Sequence, residues 1–230
     1  MIKMNKQKMR SFKKLKLVVV LLLNFGFVKA QEAPFYSEIQ HFEKMDSIHF
    51  PLKHAILFLG SSSFRKWTNV AEAFPGYPVI NRGFGGSTFP DAIRYLDKIV
   101  FPYQPRQILI YEGDNDLASS DKITPDSVLN RFRKLFFLIR QKLPNTNVAY
   151  VSIKPSPSRE RLMPEMAKAN SLIKDFLKNK KNASFIDVYH AMLNKDGQPD
   201  KSIFLEDELH MNAKGYAIWQ KIIEPYLLKK

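Results

Sequence analysis

Four short segments of this 230-residue chain carry side chains that together could cleave an ester bond. They are 60–63 (Gly-Ser-Ser-Ser), 83–87 (Gly-Phe-Gly-Gly-Ser), 113–116 (Gly-Asp-Asn-Asp) and 207–210 (Asp-Glu-Leu-His). A serine hydroxyl becomes a nucleophile when a base takes its proton, and an Asp-x-x-His pair supplies an imidazole with a carboxylate beside it. Glycine N–H groups and an asparagine amide can stabilise a developing oxyanion. The order and placement of all four predict ester hydrolysis, although no single segment does.

His210 is the best candidate for the base among the five histidines. Asp207 lies three residues earlier, within reach to orient the imidazole and to stabilise its protonated form. His190 remains open, although its context is that of an ordinary amphipathic segment. The other three lie in the leading segment or at the far end of the first strand: His41, His49 and His54. Alone, an Asp-x-x-His pair also suits a surface polar pair or a helix cap.

Other chemistry fits the glycine-containing segments less well. Segment 60–63 could simply cap a helix, and it is not a G-x-S-x-G elbow because Phe64 stands at the last glycine position. Segment 83–86 lacks the third glycine of a dinucleotide loop, since residue 88 is Thr, and it lacks the Gly-Lys of a P-loop. The acidic series of a calcium loop does not continue after residue 116. With no cysteine in the chain, disulfides, thiolate metal sites and a cysteine nucleophile are excluded, and we expect neither metal nor cofactor.

An alternation of strands and helices must position these segments. Apolar runs predict strands at 55–59, 79–80, 107–111, 148–153 and 184–187. Helical patterns cover 32–47, a stretch from Thr88 with Pro90 just inside it, 125–143, 164–179 and 212–228. This alternation predicts an α/β fold, a mostly parallel five-stranded sheet covered by helices on both faces. The first three candidate segments follow the carboxyl ends of strands, where open parallel sheets bind ligands, and the fourth precedes the last helix.

The first 30 residues have the pattern of a secretory signal. They hold eight basic and no acidic residues, an uncharged stretch at 17–28, and small residues before a predicted cleavage after Ala30. That stretch is shorter than the roughly 20 residues that span a bilayer, so we expect cleavage and no stable membrane anchor. The remaining domain, 31–230, has 28 basic and 22 acidic residues, a net charge of +6, without the basic stripe of a nucleic-acid-binding protein. We expect a secreted or periplasmic protein.

In this order, the four segments resemble the four blocks of the SGNH hydrolases, or GDSL esterase/lipase family. Segments 80–87 and 152–157 resemble a bacterial exported subgroup of that family. The resemblance implies a flavodoxin-like three-layer α/β/α sandwich. It assigns Ser62 as the nucleophile, with Asp207 and His210 completing a catalytic triad. It also implies an oxyanion hole formed by Ser62, Gly86 and Asn115. Two residues depart from the family pattern: Ser61 replaces an aspartate, and Glu208 stands where a glycine is common.

The sequence therefore predicts an exported carboxylic-ester hydrolase, most readily one that removes O-acetyl groups from carbohydrate. Four basic residues could flank an anionic sugar, although each could equally be structural: Arg65, Arg82, Lys154 and Arg159. A lipid esterase, lysophospholipase or thioesterase would use the same triad, and a long apolar groove beside Ser62 would favour it. A non-catalytic carbohydrate-binding protein of the same fold is the third alternative. The natural substrate and the oligomeric state do not follow from the sequence.

Overall fold

Five short apolar strands form the centre of the protein in a computed structural model that describes residues 32–229. They are β1 (Ile56–Gly60), β2 (Val79–Gly83), β3 (Gln107–Tyr111), β4 (Asn147–Val151) and β5 (Ala183–Ile186). All pair in parallel, in the order β2-β1-β3-β4-β5, which is the flavodoxin-like order. The register places Gly60 opposite both Gly83 and Tyr111, so three candidate segments begin side by side at one edge of the sheet.

Nine α-helices lie before, between and after the strands in this part of the chain. They are α1 (Tyr36–Ile48), α2 (Ser62–Arg65), α3 (Val70–Ala73), α4 (Phe89–Arg94), α5 (Leu96–Ile99), α6 (Asp114–Ser119), α7 (Pro125–Lys142), α8 (Met163–Leu177) and α9 (Ala213–Ile223). Short 3₁₀ helices occur at Phe101–Tyr103, Pro157–Leu162, His190–Met192, Lys201–Ile203 and Glu224–Tyr226. The start predicted at Thr88 is present: the Asp91 carboxylate accepts hydrogen bonds from the N–H and the hydroxyl of Thr88.

Each face of the sheet is covered by helices, because the strands are apolar on both sides. On one face Phe58 and Tyr111 pack with Phe64, Trp67 and Trp219, contributed by α2, the loop after it, and α9. On the other face Tyr150 stacks with aromatic rings from α4 and α7. The predicted three-layer α/β/α architecture is thus confirmed, with a sheet that is entirely parallel over the described residues.

The predicted boundaries differ from the observed ones by a few residues. The last α-helix ends at Ile223 rather than at 228, because Pro225 cannot donate the next helical hydrogen bond and the chain continues as a 3₁₀ turn. The predicted signal sequence, 1–30, lies outside the described residues. From residue 32 to 229, no helix is both long and apolar enough to cross a bilayer.

Candidate active site

Ser62 is presented at the edge of the sheet by a sharp turn between β1 and α2. A side chain at Gly60 would collide with the carbonyl oxygen of Tyr111, so this close approach requires glycine. The Ser61 N–H donates to the same carbonyl at 3.2 Å, and the chain then turns into α2, of which Ser62 is the first residue. The N–H of a first helical residue has no acceptor within its own helix, so that of Ser62 can bind another group.

A chain of hydrogen bonds links Ser62 to His210 and Asp207. His210 Nε2 lies 2.9 Å from Ser62 Oγ, and His210 Nδ1 lies 2.6 Å from Asp207 Oδ2. The other carboxylate oxygen of Asp207 accepts the N–H groups of Leu209 (3.0 Å) and His210 (2.8 Å). Partial desolvation acts to raise the pKa of Asp207, but these hydrogen bonds outweigh it and hold that pKa below its usual range. The imidazole is therefore oriented with Nε2 towards the serine hydroxyl, in position to accept its proton.

The loop that carries Asp207 and His210 is held from both sides. The Leu205 N–H donates to the His210 carbonyl at 2.8 Å across a short hairpin, and the Lys154 ammonium donates to the Leu209 carbonyl at 2.8 Å. The Glu208 carbonyl accepts both the N–H and the hydroxyl of Ser158. The backbone of Glu208 is left-handed, with φ +52°, which accounts for the glycine that is common there. Its carboxylate turns outward to Lys201, 3.2 Å away.

The glycine loop after β2 lies beside Asn115. Gly85 has φ +38°, and a side chain there would collide with the ring of Phe35. Its N–H donates to Glu38 Oε2 at 3.0 Å, so α1 helps to fix the loop. A Cβ on Gly86, which is exposed, would lie 3.7 Å from Asn115 Nδ2, so the backbone of Gly86 and this amide are neighbours.

The Asn115 side chain is oriented by three neighbours. Its Nδ2 donates to the Ser87 carbonyl at 3.0 Å, and its Oδ1 accepts from Arg159 Nη2 at 2.8 Å. Its backbone N–H donates to Asp114 Oδ1 at 2.9 Å. The amide can therefore offer its second N–H hydrogen to a substrate oxygen near Gly86.

Beneath these loops the end of β3 brings three carboxyl groups into the interior. Glu112 is fully buried and accepts from the Ser87 hydroxyl at 2.7 Å. Burial, reinforced by nearby Asp116 and Asp114, raises the pKa of Glu112 well above its ordinary value. Asp116 is paired with Arg131 at 2.6 Å and accepts the Phe89 N–H, yet burial still raises its pKa. Glu112 thus supports Ser87, whose carbonyl holds the Asn115 amide.

A second Asp-x-x-His pair has the same local geometry at another place. Asp187 follows β5, and its Oδ2 lies 2.8 Å from Nδ1 of His190, while its Oδ1 accepts the N–H groups of Tyr189 and His190. This pair lines a separate cavity of about 320 Å³ against α8. His210 was selected in the sequence by the carboxylate three residues earlier, and this criterion was wrong, because Asp187 stands at the same spacing before His190. Only the fold determines which imidazole reaches Ser62.

The four basic residues predicted to contact substrate occupy different environments. Arg65 is about half exposed. Arg82 is buried instead, with Nη2 2.5 Å from Asp46 and Nε 2.9 Å from the Tyr103 hydroxyl. Lys154 is also buried, and desolvation lowers its pKa to about 8. Arg159 binds Asn115 and Asp114. The charged groups of Arg82 and Lys154 bind other parts of the protein, so their environment gives no support to the predicted substrate contact.

Among residues 32–229, no group of three or more His, Cys, Asp or Glu side chains is arranged to hold a metal ion.

Glu38 and Phe35, which support the glycine loop, were missed by sequence analysis because they lie far from that loop in the sequence and no local pattern marks the contact.

Residues 55–218 match the model of the GDSL-like lipase/acylhydrolase family. None of the curated proteins compared with the chain by sequence matched it.

Several solved structures share the fold. A protein from Bacteroides fragilis proposed to be an acylhydrolase superimposes with a TM-score of 0.73 at 18% identity, over 85% of this chain and 97% of that one. A GDSL-like lipase from Bacteroides thetaiotaomicron superimposes with a TM-score of 0.68 at 19% identity, over 83% of this chain and 97% of that one. An acetyl-xylooligosaccharide esterase from Geobacillus stearothermophilus, solved as a mutant, superimposes with a TM-score of 0.60 at 14% identity, over 75% of this chain and 93% of that one.

Proposed function

The chain belongs to the GDSL-like lipase/acylhydrolase family, which makes it a carboxylic-ester hydrolase, and we propose that it cleaves its ester through Ser62, His210 and Asp207. The observation that carries this proposal is the continuous hydrogen-bonded path from Ser62 Oγ through both imidazole nitrogens to the Asp207 carboxylate. Both distances fall within the range expected of a nucleophile and its base.

In the first half of the reaction, Ser62 Oγ attacks the acyl carbon while its proton passes to His210 Nε2. The tetrahedral intermediate then expels the alcohol oxygen, which takes that proton from the imidazolium. In the second half, water attacks the acyl-serine, gives its proton to Nε2, and releases the carboxylic acid as Ser62 Oγ recovers a proton. Asp207 keeps the imidazole in the productive tautomer and stabilises its protonated form.

The negative charge of both intermediates falls on the former carbonyl oxygen. We assign its stabilisation to the N–H of Ser62, the N–H of Gly86 and the Asn115 amide. These donors follow the carboxyl ends of three neighbouring strands, β1, β2 and β3. Fixed donors of this kind lower the barrier without reorganisation, and one of them is worth about 10²–10³ in turnover.

The surroundings of Ser62 favour a short acyl group. Of the large apolar side chains exposed between residues 32 and 229, Leu205 alone belongs to the loops that build the site. The others lie elsewhere on the surface: Met45, Ile48, Phe50, Leu52, Phe137, Tyr226 and Leu228. A long acyl chain would need an extended apolar groove at the serine, so we infer that the acyl group is small, as acetyl is.

A cavity beside α2 suits a polar alcohol part of the ester. It has a volume of about 600 Å³ and lies between α1, α2 and β2. Six of the eight residues that line it have polar side chains, and Phe42 adds a phenyl ring: Ser37, Glu38, His41, Phe42, Arg65, Thr68, Asn81 and Gly83. Polar groups around a ring are suited to a carbohydrate, and Arg65 lies one helical turn from Ser62. We therefore propose O-acetyl esters of carbohydrate as substrates, a choice supported by the acetyl-xylooligosaccharide esterase of the same fold.

Export of the enzyme is a separate proposal, and the sequence of residues 1–30 supports it. Expression of the full chain in a bacterial host, followed by mass determination of the mature N-terminus, tests it. We expect the first residue to be Gln31. Retention of the first 30 residues would contradict the proposed cleavage.

The substrate proposal is tested by comparing esters that differ in one part only. We expect residues 31–230 to hydrolyse p-nitrophenyl acetate faster than the butyrate, with little activity on the octanoate, and to release acetate from acetylated xylooligosaccharides. Ser62→Ala measures the background. Faster cleavage of octanoate than of acetate would contradict the acetyl proposal in favour of a lipid esterase. Carbohydrate binding with no hydrolysis above the Ser62→Ala background would contradict the catalytic mechanism.

Substitution of Arg65 distinguishes binding of the carbohydrate part of the substrate from binding of the acetyl part. Arg65→Ala is expected to raise KM for the acetylated oligosaccharide several-fold, because it removes part of the cavity wall, and to leave KM for p-nitrophenyl acetate unchanged. Lys66→Ala is the matched control, since Lys66 is the exposed neighbour and does not line this cavity. Equal KM values for the oligosaccharide in all three proteins would place the carbohydrate elsewhere.

A further inference from the structure

We propose that Arg159 is a positioning residue, which determines which end of the Asn115 amide faces the substrate. This inference rests on the proposed function of Asn115 as a donor to the oxyanion. A direct contact between Arg159 and substrate, which the sequence had suggested, is replaced by this indirect role.

The two ends of an asparagine amide have nearly the same size but opposite hydrogen-bonding properties. With the NH₂ group towards the substrate, the side chain stabilises an oxyanion. With the carbonyl oxygen there, it would repel one. Packing alone cannot distinguish these two orientations, so the hydrogen-bond partners must do so.

Arg159 distinguishes them because a guanidinium only donates. Its Nη2 lies 2.8 Å from Asn115 Oδ1, and a reversed amide would place two donors against each other. At the other end of the amide, the Ser87 carbonyl is an acceptor and lies 3.0 Å from Nδ2. The two contacts favour the same orientation. Loss of Arg159 would leave Oδ1 without a donor and leave Ser87 as the one remaining constraint.

The position of Arg159 is itself fixed in the interior. Its Nη1 lies 3.1 Å from Asp114 Oδ2, and its side chain is 16% exposed. The other oxygen of Asp114 accepts the backbone N–H of Asn115 at 2.9 Å. One buried carboxylate therefore holds both the arginine and the start of the helix that bears Asn115. A guanidinium engaged in this way positions a neighbouring side chain rather than meeting an anionic sugar.

The test measures kcat and KM for p-nitrophenyl acetate, a neutral ester, in substituted proteins with confirmed secondary structure. Arg159→Met, which keeps the length of the side chain but has no donor, is expected to lower kcat about tenfold with KM nearly unchanged. Arg159→Lys keeps one donor and should recover most of the lost kcat. Arg161→Met is the matched control: Arg161 lies in the same 3₁₀ helix, is exposed, and pairs with Asp121 at the surface. It should have the kcat of the wild type.

A double-substitution cycle with Asn115→Ala decides whether Arg159 acts through the amide. Once the amide is gone, Arg159→Met should cost less than about twofold in kcat. The same fold-loss in both backgrounds would overturn the proposal, and so would an effect confined to KM. If Arg159→Met does not fold, Arg159→Lys is compared with Arg159→Glu, whose carboxylate can only accept a hydrogen bond. Equal kcat values in these two would also overturn it.

Failure of the proposed function gives a different result. In that case the wild type would be no faster than Ser62→Ala, or Asn115→Ala would retain full kcat.

Discussion

His190 and His210 have the same hydrogen bonds to an aspartate three residues earlier, yet within residues 32–229 only His210 has a serine hydroxyl at its second nitrogen. We therefore expect His210→Ala to lower kcat for p-nitrophenyl acetate by at least about 10³-fold, because Ser62 loses its base. His190→Ala is the matched control and should retain wild-type activity. Comparable losses in both variants would mean that the Ser62–His210 contact does not drive the reaction.

The backbone of Glu208 is strained in the loop that holds His210, and this strain lowers the stability of the protein. Its left-handed backbone disfavours any residue with a Cβ, so Glu208→Gly should raise the free energy of unfolding by up to about 1 kcal/mol and preserve kcat. Glu206, two residues earlier, is not among the residues of positive φ, and Glu206→Gly should lower that free energy instead. Denaturant titration of both variants tests this difference. Destabilisation by both to the same extent would show that the backbone of Glu208 is unstrained.

At the scale of elements, α1 is more than a cover for the sheet. It supplies Glu38, which accepts the N–H of Gly85 and thereby supports the turn that presents Gly86. Glu43 lies on the same helix and pairs with Lys98 at the surface, with no contact to the glycine loop. Substitution of Glu38 can affect both the stability of α1 and the glycine loop, whereas substitution of Glu43 can affect only the stability of α1.

Removal of the Glu38 carboxylate should therefore affect catalysis more than stability. We expect Glu38→Ala to lower kcat for p-nitrophenyl acetate by roughly 3–10-fold, since small displacements of an oxyanion donor are costly. Glu43→Ala should change kcat by less than about twofold, because an exposed ion pair contributes little. Steady-state kinetics of the two variants measure this difference, and their melting temperatures show whether both are folded. Wild-type kcat values in both variants would contradict this role of α1.

The sheet and its helices were predictable because most strands contain an apolar run and each long helix has an apolar face. The second strand was predicted only at 79–80, because Asn81 and Arg82 interrupt its apolar pattern. The capping box at Thr88 fixed one helix start, whereas the end of α9 at Ile223 was missed because the influence of Pro225 on the preceding turn was overlooked. Contacts between distant segments could not be predicted in this way. The bond between Glu38 and Gly85, or between Lys154 and Leu209, depends on how layers pack and leaves no local pattern in the sequence.

At the scale of the whole molecule, a carboxyl group buried in the core, that of Glu112, helps to position the active site. Glu112 is buried with a raised pKa, so the folded protein retains a proton that the unfolded chain releases above the ordinary glutamate pKa of 4.5. The free energy of unfolding consequently falls as pH rises from about 4.5 towards the raised pKa of the folded state. Glu112→Gln removes this titration but keeps a hydrogen-bonding group for Ser87.

The difference in melting temperature between Glu112→Gln and the wild type should therefore increase in favour of the variant from about pH 5 to about pH 8. Exposed Glu160 provides the control, and Glu160→Gln should show little pH-dependent difference. A constant difference for Glu112→Gln across this range would mean that Glu112 is ionised in the folded protein.

Activation of Ser62 by His210 is the step on which the whole mechanism depends, and covalent labelling measures it most directly. An organophosphate that reacts with activated serines is added to the wild type, His210→Ala and His190→Ala, and the modified residue is located by peptide mass spectrometry. We predict one label on Ser62 in the wild type and in His190→Ala, and none in His210→Ala. Labelling of Ser61 or Ser63 instead, or undiminished labelling of His210→Ala, would contradict the proposed mechanism.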